Sequence, residues 1–404
     1  MDAVSTRSQE ALECLQAPAQ ALAIRAEWDD LVTATGADIY FLSDWQVAWW
    51  DHYGKSFASS RRPVCFILRD GPELIGALPF CIETIWAGPV PVRIARLAGV
   101  DPNFAVMALP IATGHEEAAL RAAFTHLTQQ LNCAAISLSP MSERSVSLKI
   151  LRSMDVQDVL LLRDDSPRGH TLMDLPDSFD GFMKTLSKSR RREVRRDIKR
   201  LNEIAPLNNT SSSPDMVDPM MDRFIALHTK QWRAAGKGGH FSDWSVAAGF
   251  YRDLLHRLAP SDRAMIDEQW QGDRLLSSQL RYTQGDKAYW WLNARETDPE
   301  FEKVGLGRVG LIERVEGLIT DGIQLVEAGA GEYEYKLSYG GTLVPIHNIV
   351  LAANRPAARL RARALLCWAD ALHLFYYRAW FLKIRPRLGL KPGKLWASWI
   401  RTRL

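Results

Sequence analysis

Two groups of residues that could do chemistry lie close together between Pro299 and Gly341 of this 404-residue chain. The first is a glycine-rich run with Gly305, Gly307 and Gly310, which leads into an apolar, helix-like segment. Glycines let the backbone approach a ligand closely, and the start of a helix offers N–H groups to an anion. The run therefore predicts a phosphate or pyrophosphate site.

The second group follows a predicted buried strand, IQLVEAG. The turn beyond it, GAGEYEYK, adds carboxylates, phenols and an amine, which are side chains that transfer protons. The candidates for proton transfer are Glu327, Glu332, Tyr335, Lys336 and, from another segment, His240. For Glu332 and Lys336 the competing interpretation is a surface ion pair of little energetic value. For Glu327 it is a carboxylate that caps the next turn.

The glycine run also satisfies the G-x-G-x-x-G pattern of dinucleotide-binding folds, with Glu327 twenty residues after Gly307 as a candidate ribose-binding acid. In such a fold the first glycine follows a buried strand, whereas here it follows the charged segment ETDPEFEKV. No G-K-[ST] closes the run, so it is not a P-loop. The sequence favours a phosphate site of another kind.

Strand and helix patterns predict how the chain positions these residues. Three strand-like runs, AMIDEQWQ, LLSSQLRYTQ and AYWWLNARE, are joined by Gly-Asp turns and lead into the glycine run. The N-terminal half has a similar order of hairpin strands, helix and strand, so we predict an internal duplication of the fold. The predicted fold class is α/β (α+β), with a mostly antiparallel, twisted sheet flanked by helices in each half.

The predicted domains are 1–165 and 166–354, followed by a tail at 355–404. The chain has a net charge of +3, but the tail alone has twelve Lys or Arg and one acid, which leaves −8 on the remainder. Residues 356–384 predict a basic helix with interleaved Trp, Tyr and Leu, which either lies on an anionic membrane surface or packs on the body. Trp396 and Trp399 favour the membrane.

A second basic segment has eight basic and two acidic residues between Ser187 and Arg200. It is either a solvated helix face or an anion-binding surface. The second interpretation rests on the three successive arginines, which exceed what solubility requires. The acidic body disfavours a nucleic-acid partner. His240 is placed in a glycine-rich loop, as a proton shuttle or without a chemical role. The scattered cysteines and the lack of an apolar leader predict a cytoplasmic protein with reduced thiols.

These motifs resemble those of the GNAT acyltransferases, in particular a family associated with cellulose and exopolysaccharide biosynthesis. The glycine run is similar to their Q/R-x-x-G-x-G/A loop at Gly305 and Gly307, although Glu302 stands where Gln or Arg is usual. The run from Glu327 to Lys336 resembles the family's acid-x-Gly-x-Gly-acid-x-x-Tyr-Lys pattern. FLSDWQVAWWDHYG resembles its N-terminal helix, and LSKSRRREVRRDIKRL resembles a helix of this family and of the FemABX-type transferases.

The resemblance implies tandem GNAT-like domains, of which the second binds acyl-CoA. The implied cofactor-binding residues are Val304, Gly305, Leu306, Gly307 and Arg308, with backbone amides and a guanidinium for the pyrophosphate. A thioester has a good leaving group, so the enzyme positions an amine or hydroxyl and removes a proton. The base would be Glu327, Glu332 or His240. Tyr335 would protonate the thiolate, and Lys336 would orient a carboxylate or phosphate of the acceptor.

The expected function is transfer of an acyl group from acetyl-CoA or a longer acyl-CoA, without a metal, to the nitrogen of a membrane-associated amine. A sphingoid-type long-chain base at the inner face of the membrane is one such acceptor. One alternative is acetylation of an exopolysaccharide or sugar precursor. A second is a catalytically degenerate GNAT scaffold in a membrane synthase assembly. FemABX enzymes use aminoacyl-tRNA as donor, which the acidic body disfavours here.

Overall fold

The computed structural model of the chain describes residues 10–17, 19–55, 61–100, 103–155, 157–236, 239–301, 304–388 and 395–404. The strands are β1 (Glu10–Leu15), β2 (Arg62–Asp70), β3 (Glu73–Ala87), β4 (Val90–Leu97), β5 (Ala135–Ser137), β6 (Met141–Ser142), β7 (Val159–Asp174), β8 (Leu207–Ser211), β9 (Ala264–Gln271), β10 (Arg274–Gln284), β11 (Lys287–Arg295), β12 (Leu325–Ala330) and β13 (Thr342–Ala353). The helices are α1 (Ala19–Ala23), α2 (Arg25–Ala34), α3 (Ser43–Trp49), α4 (Glu116–Thr125), α5 (Val146–Ser153), α6 (Phe179–Thr185), α7 (Lys188–Ile204), α8 (Val217–Ala234), α9 (His240–Asp243), α10 (Ala247–Leu258), α11 (Leu306–Thr320), α12 (Glu334–Ser338), α13 (Pro356–Ala371), α14 (Arg385–Leu388) and α15 (Leu395–Arg401), and a π-helical stretch at Leu372–Ile384 continues α13.

The chain divides into two compact units, the first formed by residues 1–167 and 345–404 and the second by residues 168–344. In the first unit the strand order is β1-β2-β3-β4-β5-β13. The pair β4 and β5 is parallel, and the other neighbours are antiparallel. The apolar run of β3 is buried along nearly its whole length because α2 and α13 both pack against it.

The second unit has the strand order β8-β9-β10-β11-β12-β7. Here β11 and β12 are parallel, and the other neighbours are antiparallel. Helix α11 connects the two parallel strands and buries Leu311, Ile312 and Val315 against Trp290 and Val326. The helix that follows the glycine run is thus packed on the sheet, which holds its N-terminus in a defined position.

The two units repeat one order of elements. In each, three antiparallel strands are followed by a helix, α4 or α11. The next strand, β5 or β12, pairs parallel with the last of the three, and its other neighbour is an antiparallel strand. That bordering strand is β13 in the first unit and β7 in the second, and in neither unit does it directly follow the parallel strand along the chain. The predicted tandem α/β fold with mostly antiparallel sheets and flanking helices is confirmed.

The tail at 355–404 belongs to the first unit. Helix α13 buries Ala362 and Leu365 in a core cluster with Ile85 and Ile94, and Leu404 is buried in the same cluster. Among the described residues, no helix is long and apolar enough to cross a membrane. The tail therefore contributes to the hydrophobic core of this unit.

Candidate active site

The strands β11 and β12 stay paired over only part of their length. Their ladder runs from Lys287 opposite Leu325 to Tyr289 opposite Glu327, although β11 continues to Arg295. A bulge marks the point of separation, because Leu280 and Arg281 of β10 pair with Leu292 and Trp290 and leave Trp291 as the extra residue. Beyond this point the two parallel strands are no longer paired with each other, and Glu327 is the last paired residue of β12.

Glu327 is fully buried at this point. Its Oε2 lies 2.5 Å from Nδ1 of His170, a buried residue of β7, and its Oε1 accepts from the amide of Gly329 at 2.9 Å. An ionised carboxylate can only accept, so an ionised Glu327 requires the proton of this contact on Nδ1. Gly329 and Gly331 have φ values of +81° and +110°, which only glycine adopts readily, and this explains their spacing after the acid.

His170 is a site residue that the sequence analysis missed. It lies 157 positions before Glu327 and comes close to it only because β7 pairs with β12. No local pattern around His170 distinguishes it from an ordinary strand residue. The pairing of distant strands is the only signal that could have found it.

Lys336 is buried in the turn that follows β12. Its ammonium group donates to the carbonyl oxygen of Ala328 and lies 4.9 Å from the ring centre of Tyr333. Burial lowers the pKa of Lys336 to about 8, and the charge of Glu327 opposes that shift. Near neutral pH the side chain therefore exists in both protonation states, as proton transfer requires.

Tyr335, which precedes Lys336 in the chain, interacts with two residues of β11. It shares a hydrogen bond with Asn293 and lies within electrostatic range of Arg295, both exposed residues of the unpaired end of β11. Tyr335 as a whole is 42% exposed, but desolvation of its hydroxyl raises the pKa of Tyr335, so this phenol keeps its proton at neutral pH. The structure thus adds Asn293 and Arg295 to the predicted site.

The other two predicted proton-transfer residues lie in different surroundings. Glu332 is exposed, and no ion pair joins it to Lys336 in the described part of the chain. His240 begins the short helix α9, where the sequence predicts a loop, and its Nε2 lies 3.2 Å from the hydroxyl of Tyr251. That hydroxyl accepts from Trp291 at 3.0 Å. Burial lowers the pKa of His240 to about 4, so it is neutral at pH 7.

The glycine run forms a tight turn before α11. The amides of Val304, Leu306 and Arg308 already donate within the protein, to the carbonyl oxygens of Phe301, Val304 and Gly305 respectively. Val304 and Leu306 are buried, whereas Gly307 is exposed. A Cβ on Gly307 would meet only Cδ of Arg295, at 3.8 Å, so packing within the chain does not require glycine there. Glu302 lies outside the described residues.

Arg308 folds back over Gly305, with its guanidinium where a Cβ of Gly305 would be. Two acids of α7 hold it there: Glu193 at 2.8 Å and the buried Asp197. The positive charge that the sequence predicts at this loop is present, but these two carboxylates already pair with it.

Gly310 packs closely on the sheet, since a Cβ would lie 3.1 Å from Oγ of Ser277. Within the described ranges, no group of three or more His, Cys, Asp or Glu side chains is arranged to hold a metal ion.

The second unit is similar to a known family of domains. Residues 188–337 match the family model described as an acetyltransferase (GNAT) domain. No curated protein matches the chain. Among solved structures, the chain is similar to FemX, with a TM-score of 0.61, 11% identity, and coverage of 87% of this chain and 100% of FemX.

It is also similar to a conserved protein of unknown function from Bacteroides thetaiotaomicron VPI-5482, with a TM-score of 0.51, 12% identity, and coverage of 82% and 97%. At these identities the likeness concerns the fold alone. The matched GNAT domain includes the glycine turn before α11 and the pair of parallel strands, β11 and β12, that separates after Glu327. The chain therefore has a GNAT-type acyltransferase fold, with the matched GNAT domain in its second unit.

Proposed function

We propose that the second unit binds an acyl-CoA in the space between β11 and β12 and transfers the acyl group to an amine. The observation that carries this proposal is the separation of the two strands after Tyr289 and Glu327, beside the glycine turn that begins α11. Helix α11 has no side-chain cap at its N-terminus, and the exposed Gly307 leaves room for a phosphate group. The unpaired edge of β11 offers backbone groups to an amide-containing arm of the donor.

Two buried groups, Glu327 and Lys336, and the exposed Tyr335 account for the chemistry. In the proposed reaction Lys336, as the neutral amine, accepts a proton from the acceptor's nitrogen as that nitrogen attacks the thioester carbonyl. The new C–N bond forms, the C–S bond breaks, and Tyr335 donates its proton to the departing thiolate. Glu327, held by His170 and Gly329, keeps a negative charge near Lys336 and so keeps its pKa from falling further.

One binding site per chain is the expected result of calorimetric titration with acyl-CoAs. In the first unit, β4 and β5 remain paired up to Arg96 opposite Ser137, one residue before β4 ends, so no comparable space opens. Helix α4 also begins with Glu116 and Glu117, whose charges repel a phosphate. Failure of every CoA ester to bind would contradict the enzyme proposal and favour a scaffold. Mass spectrometry of acyl-CoA consumption with a panel of amines then identifies the acceptor class.

Gly307→Val is expected to weaken CoA binding about tenfold or more, because its side chain would fill the space assigned to a phosphate. The fold should tolerate the change, since the new Cβ makes one ordinary contact. The matched control is Gly317→Val, on the same helix, where a Cβ meets nothing within 4 Å. Calorimetry measures the affinity and thermal melting measures the stability. Wild-type affinity in Gly307→Val would show that the turn does not hold the donor.

We further propose that the acceptor is presented at an anionic membrane, to which the tail binds. After α13, the exposed apolar side chains alternate with exposed basic ones. The apolar members are Leu374, Phe375, Leu382, Ile384 and Leu388, and the basic members are Arg378, Lys383 and Arg387. A surface of this composition suits the boundary between headgroups and acyl chains. Trp399, which favoured the membrane in the sequence, is buried and stacks on Tyr377 at 4.0 Å, so it does not support the proposal.

The double variant Leu374→Ser/Phe375→Ser is expected to sediment with anionic phosphatidylglycerol vesicles at least about tenfold less than the wild type. Both side chains are more than half exposed, at 51% and 69%, so the fold should not change. Val146→Ser, at an equally exposed position on α5, is the control. Deleting the whole tail is a poor test because it removes Leu365 and Leu404 from the core. Unchanged sedimentation of the double variant would rule out this membrane contact.

A further inference from the structure

An open recess lies on the surface of α7 in the second unit. Its volume is about 740 Å³, and its lining residues are Ser189, Arg190, Arg192, Glu193 and Arg196. This volume falls within the range of about 300–1,000 Å³ that is usual for ligand sites. Three guanidinium groups in one recess make it a candidate site for an anionic group.

Two of the three arginines are already paired with acids of α7, Arg190 with Glu193 and Arg196 with the buried Asp197 at 3.1 Å, which leaves Arg192 as the guanidinium that a ligand can use. Glu193 is already bound by Arg190 at 2.9 Å, by Arg308 at 2.8 Å and by the hydroxyl of Tyr339 at 3.0 Å. Arg192 is exposed, and the structure shows no ion pair for it within the described ranges. The N-terminus of α7 is itself capped, since Ser187 Oγ accepts from the amide of Arg190. Binding at the recess would therefore rely on side chains.

The recess adjoins the glycine turn through a short series of contacts. Arg308 lies over Gly305 and is paired with Glu193, which lines the recess. A ligand with one phosphate group at the turn thus has a second anion site within reach, because only the Arg308–Glu193 pair lies between the turn and the recess. This arrangement fits a donor that carries a pyrophosphate and a separate phosphate on one nucleotide.

We propose that the α7 recess binds the 3′-phosphate of the CoA nucleotide, with Arg192 as its principal ligand. This inference rests on the proposed function and deepens it, because it names the part of the donor that the basic helix recognises. A membrane surface fits the same helix less well, since its exposed side chains between Lys188 and Arg200 are all polar. Of the two interpretations that the sequence left open for this helix, a solvated face and an anion-binding surface, the proposal takes the second, at the N-terminal end of the helix.

The test compares CoA with dephospho-CoA, which lacks only the 3′-phosphate, by calorimetric titration of the full chain. The wild type is expected to bind CoA about tenfold to a hundredfold more tightly than dephospho-CoA, as charge-assisted hydrogen bonds to a phosphate predict. Arg192→Gln should bind dephospho-CoA like the wild type but lose most of this preference. Arg200→Gln, an exposed arginine about two turns further along the same helix and outside the recess, should keep it.

The other outcomes separate this inference from the proposed function. If CoA and dephospho-CoA bind equally to the wild type, or if Arg192→Gln keeps the full preference, the recess does not bind the 3′-phosphate, while donor binding stands. If neither compound nor any acyl-CoA binds, both proposals are wrong. Retention of transfer RNA on a filter that depends on Arg192 would in that case assign the recess to a polynucleotide.

Discussion

Lys336→Met is expected to lower turnover by roughly 10²–10⁴-fold, the usual contribution of a general base. The reason is that Lys336 is buried in the turn that follows β12, where no water replaces its amine easily. Its pKa is lowered to about 8 by burial, so the neutral form accumulates as the pH rises through this value. Wild-type turnover should therefore increase with pH up to about 8 and level off above it. Steady-state rates over this pH range measure both effects.

Lys336→Arg is the informative control because arginine keeps the positive charge but does not release its proton. If Lys336 acts as the base, this variant should be as slow as the methionine variant and lack the pH dependence. Activity close to the wild type would mean that Lys336 acts through its charge. Glu327→Gln adds a second readout: the charge of Glu327 raises the pKa of Lys336, so its removal should move the midpoint of the pH profile to a lower value.

Glu327→Ala is expected to cost about 3–5 kcal/mol of unfolding free energy, as is usual when one partner of a buried charged pair is removed. The carboxylate is fully buried and accepts from His170 and from the amide of Gly329. Without it, both donors lose this acceptor in a buried environment, and each lost hydrogen bond of a buried donor carries a penalty. Urea denaturation measures the change as a lower midpoint at similar slope.

The comparison for this prediction is Glu332→Ala, an acid in the same turn that is exposed. A surface substitution of this kind usually changes stability by less than about 0.5 kcal/mol. Equal stability of the two variants would show that the buried pair contributes nothing measurable. His170→Phe should lose most of the unfolding free energy that Glu327→Ala loses. The double variant should lose less than the sum of the two single losses, because the two residues form one interaction.

Much of the second unit could be predicted from the sequence because its signals are local. The three runs before the glycine turn are separated by Gly-Asp turns, and they form β9, β10 and β11. Gly272 and Gly285 have φ values of +58°, which is the conformation that such turns require. The glycines predicted around the end of β12 likewise adopt positive φ, Gly329 near the end of the strand and Gly331 directly after it.

The parts of the site that could not be predicted depend on contacts between distant positions. The antiparallel pairing of β7 with β12 brings His170 to Glu327, and no pattern within β7 encodes that neighbour. The acids that hold Arg308 come from α7, more than a hundred positions earlier in the chain. The membership in the cellulose-associated family, the acyl chain and the acceptor stay predictions.

By itself, then, the sequence determined the types of the elements, the tandem fold and the turn glycines, because each follows from hydrophobic periodicity or backbone conformation within a few residues. Only the tertiary structure decided the direction in which side chains point and which charges meet. Lys336 turned inward to Ala328 instead of pairing with Glu332, and Trp399 turned inward in the tail. Burial sets the pKa values that the chemistry uses, and burial depends on every element packed around a group, not on its neighbours in the chain.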